Sequence, residues 1–281
     1  MKQLPVAVQG MVSVMVLACV STAHAVNKDV SAIFRPDPSK PNENTFLNTT
    51  PVSGYCALYP EVCDREKMFS LQVPIVFESS GPIQANHGDS RQGAMFDVPA
   101  TWRLAQVTHT DTGETEIVQV RISGIGSRYQ LPVSVIELVG GGVDLTTAHN
   151  RLWSGSSFRY APSPCRTTNF GTMNHLIYNF FWKTPVEGVC AKRASYLIPS
   201  MSYRHLDFAY ELRTPNPLRM SSGQYRGSVT YGVGPGQDFD MGDVMLPNDS
   251  VITLNFKLDV EHTLKVEVPP GGNRVELVPP E

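Results

Sequence analysis

The residues with the most chemical potential lie between Arg151 and Lys183. Eight aromatic side chains stand there among basic residues: Trp153, Phe158, Tyr160, Phe170, Tyr178, Phe180, Phe181 and Trp182. Sugars present apolar ring faces and hydroxyl edges, so a site for them needs an aromatic platform beside a few fixed polar groups. Trp153, Arg159, Tyr160 and Arg166 supply that combination and are the candidate ligand-binding residues. A competing reading puts Trp153, Phe158 and Tyr160 in the core and the arginines on the surface, because Trp and Phe are more often buried than displayed.

A second cluster is acidic. Asp238, Asp240 and Asp243, with Asp249 beyond, are set among Gly234, Gly236 and Gly242. Oxygen ligands two residues apart can clasp calcium, but the remaining ligands of a calcium loop and its terminal Glu are missing. A solvated turn between strands is the favoured reading, since Asp and Gly dominate turns for conformational reasons. The histidines from His87 to His262 are scattered and form no metal spacing. No Gly-x-Ser-x-Gly, His-Glu-x-x-His or phosphate-cradling glycine loop occurs. Ser154-Gly155-Ser156-Ser157 has the composition of a nucleophile turn but not its order. The sequence therefore predicts binding without turnover, with no catalytic residue, no metal and no cofactor.

Residues 1–25 read as a secretory signal peptide. Lys2 is the only charge, an apolar run follows from Met11 to Val20, and Ala23-His24-Ala25 has the small-x-small cleavage pattern. Cys19 could instead mark a lipoprotein site, but Leu17 two places before it fits that pattern poorly. The apolar run is short of the roughly 20 residues needed to span a membrane, and no later segment is long and apolar enough. The chain carries 23 basic and 26 acidic residues, so removal of Lys2 leaves a net charge of −4. That balance gives no basic stripe for nucleic acid and no polybasic run for anionic lipid.

Four cysteines remain after Val26, and an even number in an exported chain reads as disulfides. Three pairings are open, of which neighbour with neighbour is the simplest: Cys56–Cys63 and Cys165–Cys190. The larger loop is worth about 3 kcal/mol in a chain-entropy model. Zinc would require a tight Cys-x-x-Cys spacing, which is absent.

The elements that must position these groups are strands. Phe69, Leu71, Val73, Ile75 and Phe77 alternate without a break, as do Ile252, Leu254, Phe256, Leu258 and Val260, then Leu264, Val266 and Val268. The same beat runs through Val118–Ile122, Tyr129–Val135, Leu206–Leu212 and Tyr225–Val233. Strict period-2 alternation is the pattern of half-buried strands, and no comparable stretch has helical spacing. The expectation is an all-β fold, an antiparallel β-sandwich. Pro74 suggests an edge strand or bulge. The Pro- and Asn-rich segment from Val26 to Tyr55 should be extended or looped coil. An N-terminal β-rich part spans 26–150, ending after Gly140-Gly141-Gly142. A second β-rich part spans 151–268, and a Pro-rich tail covers 269–281.

The segment Asn48-Thr49-Thr50-Pro51-Val52-Ser53-Gly54-Tyr55-Cys56, with Cys63 and the Phe69–Pro74 strand after it, resembles the start of chaperone–usher fimbrial tip adhesins and adhesin-like minor subunits of Gram-negative bacteria. Ser222-Gly223-Gln224-Tyr225-Arg226-Gly227-Ser228-Val229-Thr230-Tyr231 and Leu258–Val266 look like the same group. The resemblance implies export through the periplasm to the fimbrium. It also implies Ig-like or jelly-roll-like domains, a host glycan or surface protein as ligand, and assembly with a periplasmic chaperone, an outer-membrane usher and other pilus subunits by strand addition. The Pro-rich tail departs from a final pilin strand. The second part is then either a divergent pilin domain or more of the same adhesin domain. A structural or initiating minor subunit, with protein–protein contacts alone, is the alternative function.

Overall fold

The computed structural model describes residues 25–262 apart from Pro38 and Pro41. Residues 1–24 of the segment 1–25 expected as a signal peptide, the last alternating residues Leu264, Val266 and Val268, and the tail from 269 lie outside the described residues. Among the described residues strands account for 44% and helices for 12%, so the fold is mostly β, consistent with the all-β expectation.

In chain order the first strands are β1 (Ala25–Phe34), β2 (Leu47–Asn48), β3 (Ser70–Val73), β4 (Phe77–Ser79) and β5 (Ala94–Phe96). The central strands are β6 (Arg103–His109), β7 (Thr115–Gln130), β8 (Arg166–Met173), β9 (Ile177–Lys183) and β10 (Cys190–Lys192). The last are β11 (Ser202–Tyr203), β12 (Leu206–Arg213), β13 (Gly223–Gly232), β14 (Met245–Pro247) and β15 (Val251–Val260). Helices α1 (Tyr55–Leu58) and α2 (Pro60–Glu66) precede β3, and α3 (Val135–Leu138) and α4 (Leu145–Leu152) follow β7.

Thirteen strands join one sheet in the order β14-β4-β11-β7-β6-β13-β15-β1-β2, with β12 and β3, and β9 and β8, branching from β7. Strands β5 and β10 pair separately. Most pairs are antiparallel, but β1 runs parallel to β15 along its whole length, from Ala25 opposite Val251 to Phe34 opposite Val260. The sheet is therefore mixed. Strands from 26–150 and from 151–268 alternate within it.

Several local expectations change. The run from Phe69 to Phe77 is two strands, because Pro74 has no N–H for the ladder. Strand β3 ends at Val73 and pairs with β12, whereas β4 pairs with β11 and β14. The segment expected as coil opens with β1, whose Val30, Ala32 and Phe34 alternate into the core. Tyr55–Glu66 forms two short helices, α1 and α2, with Pro60 at the first helical position of α2, where a missing N–H is no loss. Of the beat read over Tyr129–Val135 only Tyr129 and Gln130 belong to β7, which ends there, and Val135 begins α3. Helix α4 is capped by Asp144, which accepts the N–H of Thr147 at 3.0 Å.

One core takes side chains from nearly every strand, including Phe34, Phe96, Trp182, Phe208, Tyr231 and Phe256, with Phe158 from the segment between α4 and β8. A smaller cluster of Tyr55, Cys56, Val62, Cys63, Phe181 and Ala209 lies on the other side of the sheet. The consecutive aromatics of β9 explain the division. Phe180 and Trp182 point into the main core, and Phe181 points outward under α1, its ring 4.9 Å from that of Tyr55. Gly124 and Gly126 of β7 leave room for it: a Cβ on Gly124 would lie 2.5 Å from the Phe181 ring.

Candidate binding cleft

Strand β7 pairs along one edge with two different neighbours. Over Thr115–Val120 the partner is β6, and over Gly124–Gln130 it is β9. Between them the sheet forks. Ile122 donates its N–H to Pro99 O at 3.1 Å, and Ser123 O accepts the N–H of Thr184 at 3.0 Å. Across the other edge the register with β12 slips at the same place: Ala209 faces Gly124 but Tyr210 faces Ile122. Ser123 is the extra residue of a β-bulge, and such a bulge re-aims side chains. It places Arg121 and Gly124 on the same outer face, three residues apart, where an unbroken strand would set them on opposite faces.

That outer face opens into a cleft of about 580 Å3. Arg121 and Ser123 of β7 and Glu211 of β12 line it from the sheet, and Lys183 and Arg166 from β9 and β8. Glu66, Lys67 and Met68 at the end of α2 form one wall, and Pro164 with Thr184–Val186 another. Arg121 makes two hydrogen bonds to the Glu211 carboxylate, at 2.9 and 2.8 Å. Lys183 Nζ donates to the carbonyl and the carboxylate of Glu66, both at 3.0 Å, which ties β9 to the helix end. That bond holds the Glu66 carboxyl below its usual range. Lys67 and Arg166 are exposed and make no ion pair or side-chain hydrogen bond among the described residues. Outside the cleft's rim, half-buried Trp102 carries the Arg213 guanidinium 3.9 Å and that of Arg121 5.1 Å from its ring centre.

Both disulfides brace this region and have the neighbour-with-neighbour pairing read from the sequence. Cys56–Cys63 joins α1 to α2, with Cα atoms 5.5 Å apart. Cys165–Cys190 begins beside Arg166 and ends in β10, with Cα atoms 5.7 Å apart.

The four candidate ligand-binding residues are not brought together. Trp153 is 1% exposed, its ring 4.8 Å from that of Phe158 and 6.1 Å from that of Tyr129. A ring so enclosed presents no face to a sugar, so the platform role is corrected to a core role. Phe158 and Tyr178–Trp182 are core as well, apart from Asn179. Tyr160 is 45% exposed, with the Arg159 guanidinium 5.8 Å from its ring centre. Arg159 Nε donates to Asn169 O at 3.0 Å. This pair does not line the cleft; Arg166 does. Sequence reasoning missed Arg121 and Lys183, which meet through sheet pairing, Lys67, which the α1–α2 pair delivers, and Trp102 outside the rim.

The acidic cluster is cross-linked by arginines. Arg91 pairs with Asp240 at 2.9 Å and Asp243 at 2.7 Å, and Arg103 pairs with Asp238. Asp240 also accepts the N–H groups of Gly236 and Gly242, each at 2.8 Å. These contacts occupy the oxygens a cation would need. Among the described residues no three metal-ligating side chains converge.

Compared with known proteins, the chain matches no family model, no curated protein and no solved structure.

Proposed function

We propose that this chain is a fimbrial tip adhesin-like protein that attaches a Gram-negative bacterium to a host or abiotic surface by binding, without catalysis. The observation that carries the reading is the cleft at the sheet fork. It is open and polar, its charged groups are pre-set by ion pairs, and two disulfide-tied segments wall it. Loops and rims held by a rigid β scaffold are where recognition is carried. The resemblance around Asn48–Cys56 and Ser222–Tyr231 supports the fimbrial assignment and, with the export signal, a route through the periplasm to the cell surface. In this reading the curled sheet is a distorted antiparallel sandwich in which the parallel β1–β15 pair is the departure.

The second reading, a structural or initiating minor subunit, has its own support. Strand β2 covers the outer edge of β1 only at Ala32 and Ile33. Over Ala25–Val30 no strand of the described residues pairs with that edge, which suits strand addition by a chaperone, usher-bound subunit or pilus neighbour. Adhesion of bacteria with and without the chain, run beside copurification with a periplasmic chaperone, separates the two. Loss of adhesion on deletion supports the adhesin. A stable chaperone complex, with adhesion unchanged by deletion, sinks it in favour of the structural subunit.

A further inference from the structure

We propose that the cleft at the sheet fork takes an anionic ligand, a saccharide bearing a carboxylate or sulfate group. This rests on the binding role argued above and names the chemistry of its ligand. The whole chain is net acidic, at −3. The cleft reverses that sign, because Lys67, Arg121, Arg166 and Lys183 face only Glu66 and Glu211. Clefts of one sign focus field lines and raise the local concentration of the opposite charge.

The four cations divide by role. Arg121 and Lys183 are committed to Glu211 and Glu66, and these pairs fix the floor. Among the described residues Arg166 and Lys67 are uncommitted, one beside the Cys165–Cys190 bridge and the other capping α2, which the Cys56–Cys63 bridge ties to α1. Their backbones are thus held while their charges remain available. A guanidinium presents a planar fork that matches a carboxylate or sulfate. The remaining lining suits a sugar body more than a bare ion. The Ser123 and Thr184 hydroxyls offer donor and acceptor groups for ring hydroxyls, and Met68, Pro164 and Pro185 offer an apolar surface for C–H faces. A volume of about 580 Å3 falls within the roughly 300–1,000 Å3 of small-ligand sites.

The test uses the full chain with both disulfides formed, titrated calorimetrically with four probes. Sialyllactose against lactose reads the carboxylate, and a heparin tetrasaccharide against its desulfated form reads the sulfate. The expected result is binding of at least one anionic probe over its neutral counterpart by tenfold or more, weakening as salt rises from about 0.05 M to about 0.5 M. Arg166→Gln and Lys67→Gln should each weaken it about tenfold, with thermal unfolding unchanged because neither side chain has a partner to orphan among the described residues. Arg151→Gln, an exposed cation away from the cleft, should bind as the parent does. Equal binding of charged and neutral probes, or full binding by the Arg166→Gln/Lys67→Gln double variant, overturns the anionic cleft and leaves the adhesin reading standing. A chain that binds none of the four probes, on bacteria whose adhesion does not depend on it, overturns both.

Discussion

Lys192 gives the sharpest stability prediction. Its side chain belongs to a residue only 4% exposed and has no carboxylate partner among the described residues. Nζ donates to Ser156 O at 2.8 Å and Ser156 Oγ at 3.2 Å, and it lies 5.8 Å from the Phe158 ring centre and 6.0 Å from that of Trp182. Burial pushes the amine down from 10.5 to about 8. Below pH 8 folded and unfolded chains both carry the charge, and the folded chain bears its full desolvation penalty. Between about pH 8 and 10.5 the folded chain sheds the proton while the unfolded chain keeps it, so stability rises with pH. At roughly 1.36 kcal/mol per pH unit, the whole rise is at most about 3 kcal/mol. Lys192→Met keeps the apolar stem against Phe158 and Trp182 and removes the titration. It should exceed the parent by about 1–2 kcal/mol at pH 7, and the gap should close by pH 10. Urea unfolding at a series of pH values, disulfides intact, measures both. Burial also raises Tyr55, Tyr203 and Tyr231, which oppose stability once the unfolded tyrosines ionise. Subtracting the variant's profile removes that contribution. Parallel profiles for the two proteins from pH 7 to 10 would refute a buried, proton-shedding amine.

The other predictions are shorter. His149 is buried and neutral, its Nδ1 accepting from Tyr129 OH at 2.7 Å and its Nε2–H donating to Asn174 O at 2.8 Å. Burial lowers its pKa, so stability should fall as pH drops below the unfolded imidazole value of about 6.5, and thermal melts of His149→Gln should lose that slope. A Cβ on Gly126 would lie 2.6 Å from the Phe180 carbonyl oxygen, so Gly126→Ala must part β7 from β9 and should cost about 1–3 kcal/mol in urea unfolding. Trp153→Ala should cost about 3–5 kcal/mol and unfold the chain at lower temperature, and an unchanged melting point would return Trp153 to the surface.

Strand content was legible wherever one face of a strand meets the core and the other meets water, as in β13 and β15. It was illegible where both faces are covered. Phe180-Phe181-Trp182 does not alternate because α1 and α2 roof the outer face of β9, and a run buried on both sides has no period. Strand β1 was hidden by the proline-rich segment after it, although Val30, Ala32 and Phe34 already carry the beat. The parallel pairing of β1 with β15 has no local cause, since it joins segments more than two hundred residues apart. Helices α1 and α2 are too short to show a helical period and are held by the Cys56–Cys63 bridge and the packing of Tyr55 on Phe181.

The cleft was hidden for a different reason, and one signal for it does stand in the sequence. Apolar residues occupy even positions at Val118, Val120 and Ile122, then odd positions at Ile125, Tyr129 and Leu131, all of them buried. A strand cannot change phase without an extra residue, so the slip locates a bulge between 122 and 125. Had the two runs been joined as one strand, the slip would have placed Arg121 on the outer face with the residues from Gly124 onward. The partners that turn this point into a cleft are beyond such reading. Lys183 arrives through β9, Glu211 through β12, and Lys67 through the helix pair, and each contact is fixed by register over long sequence separations. The aromatic side chains drew attention to the right stretch for the wrong reason. They are the core that holds β8 and β9 in place, and Arg166 and Lys183 at the ends of those strands are what that core delivers to the fork.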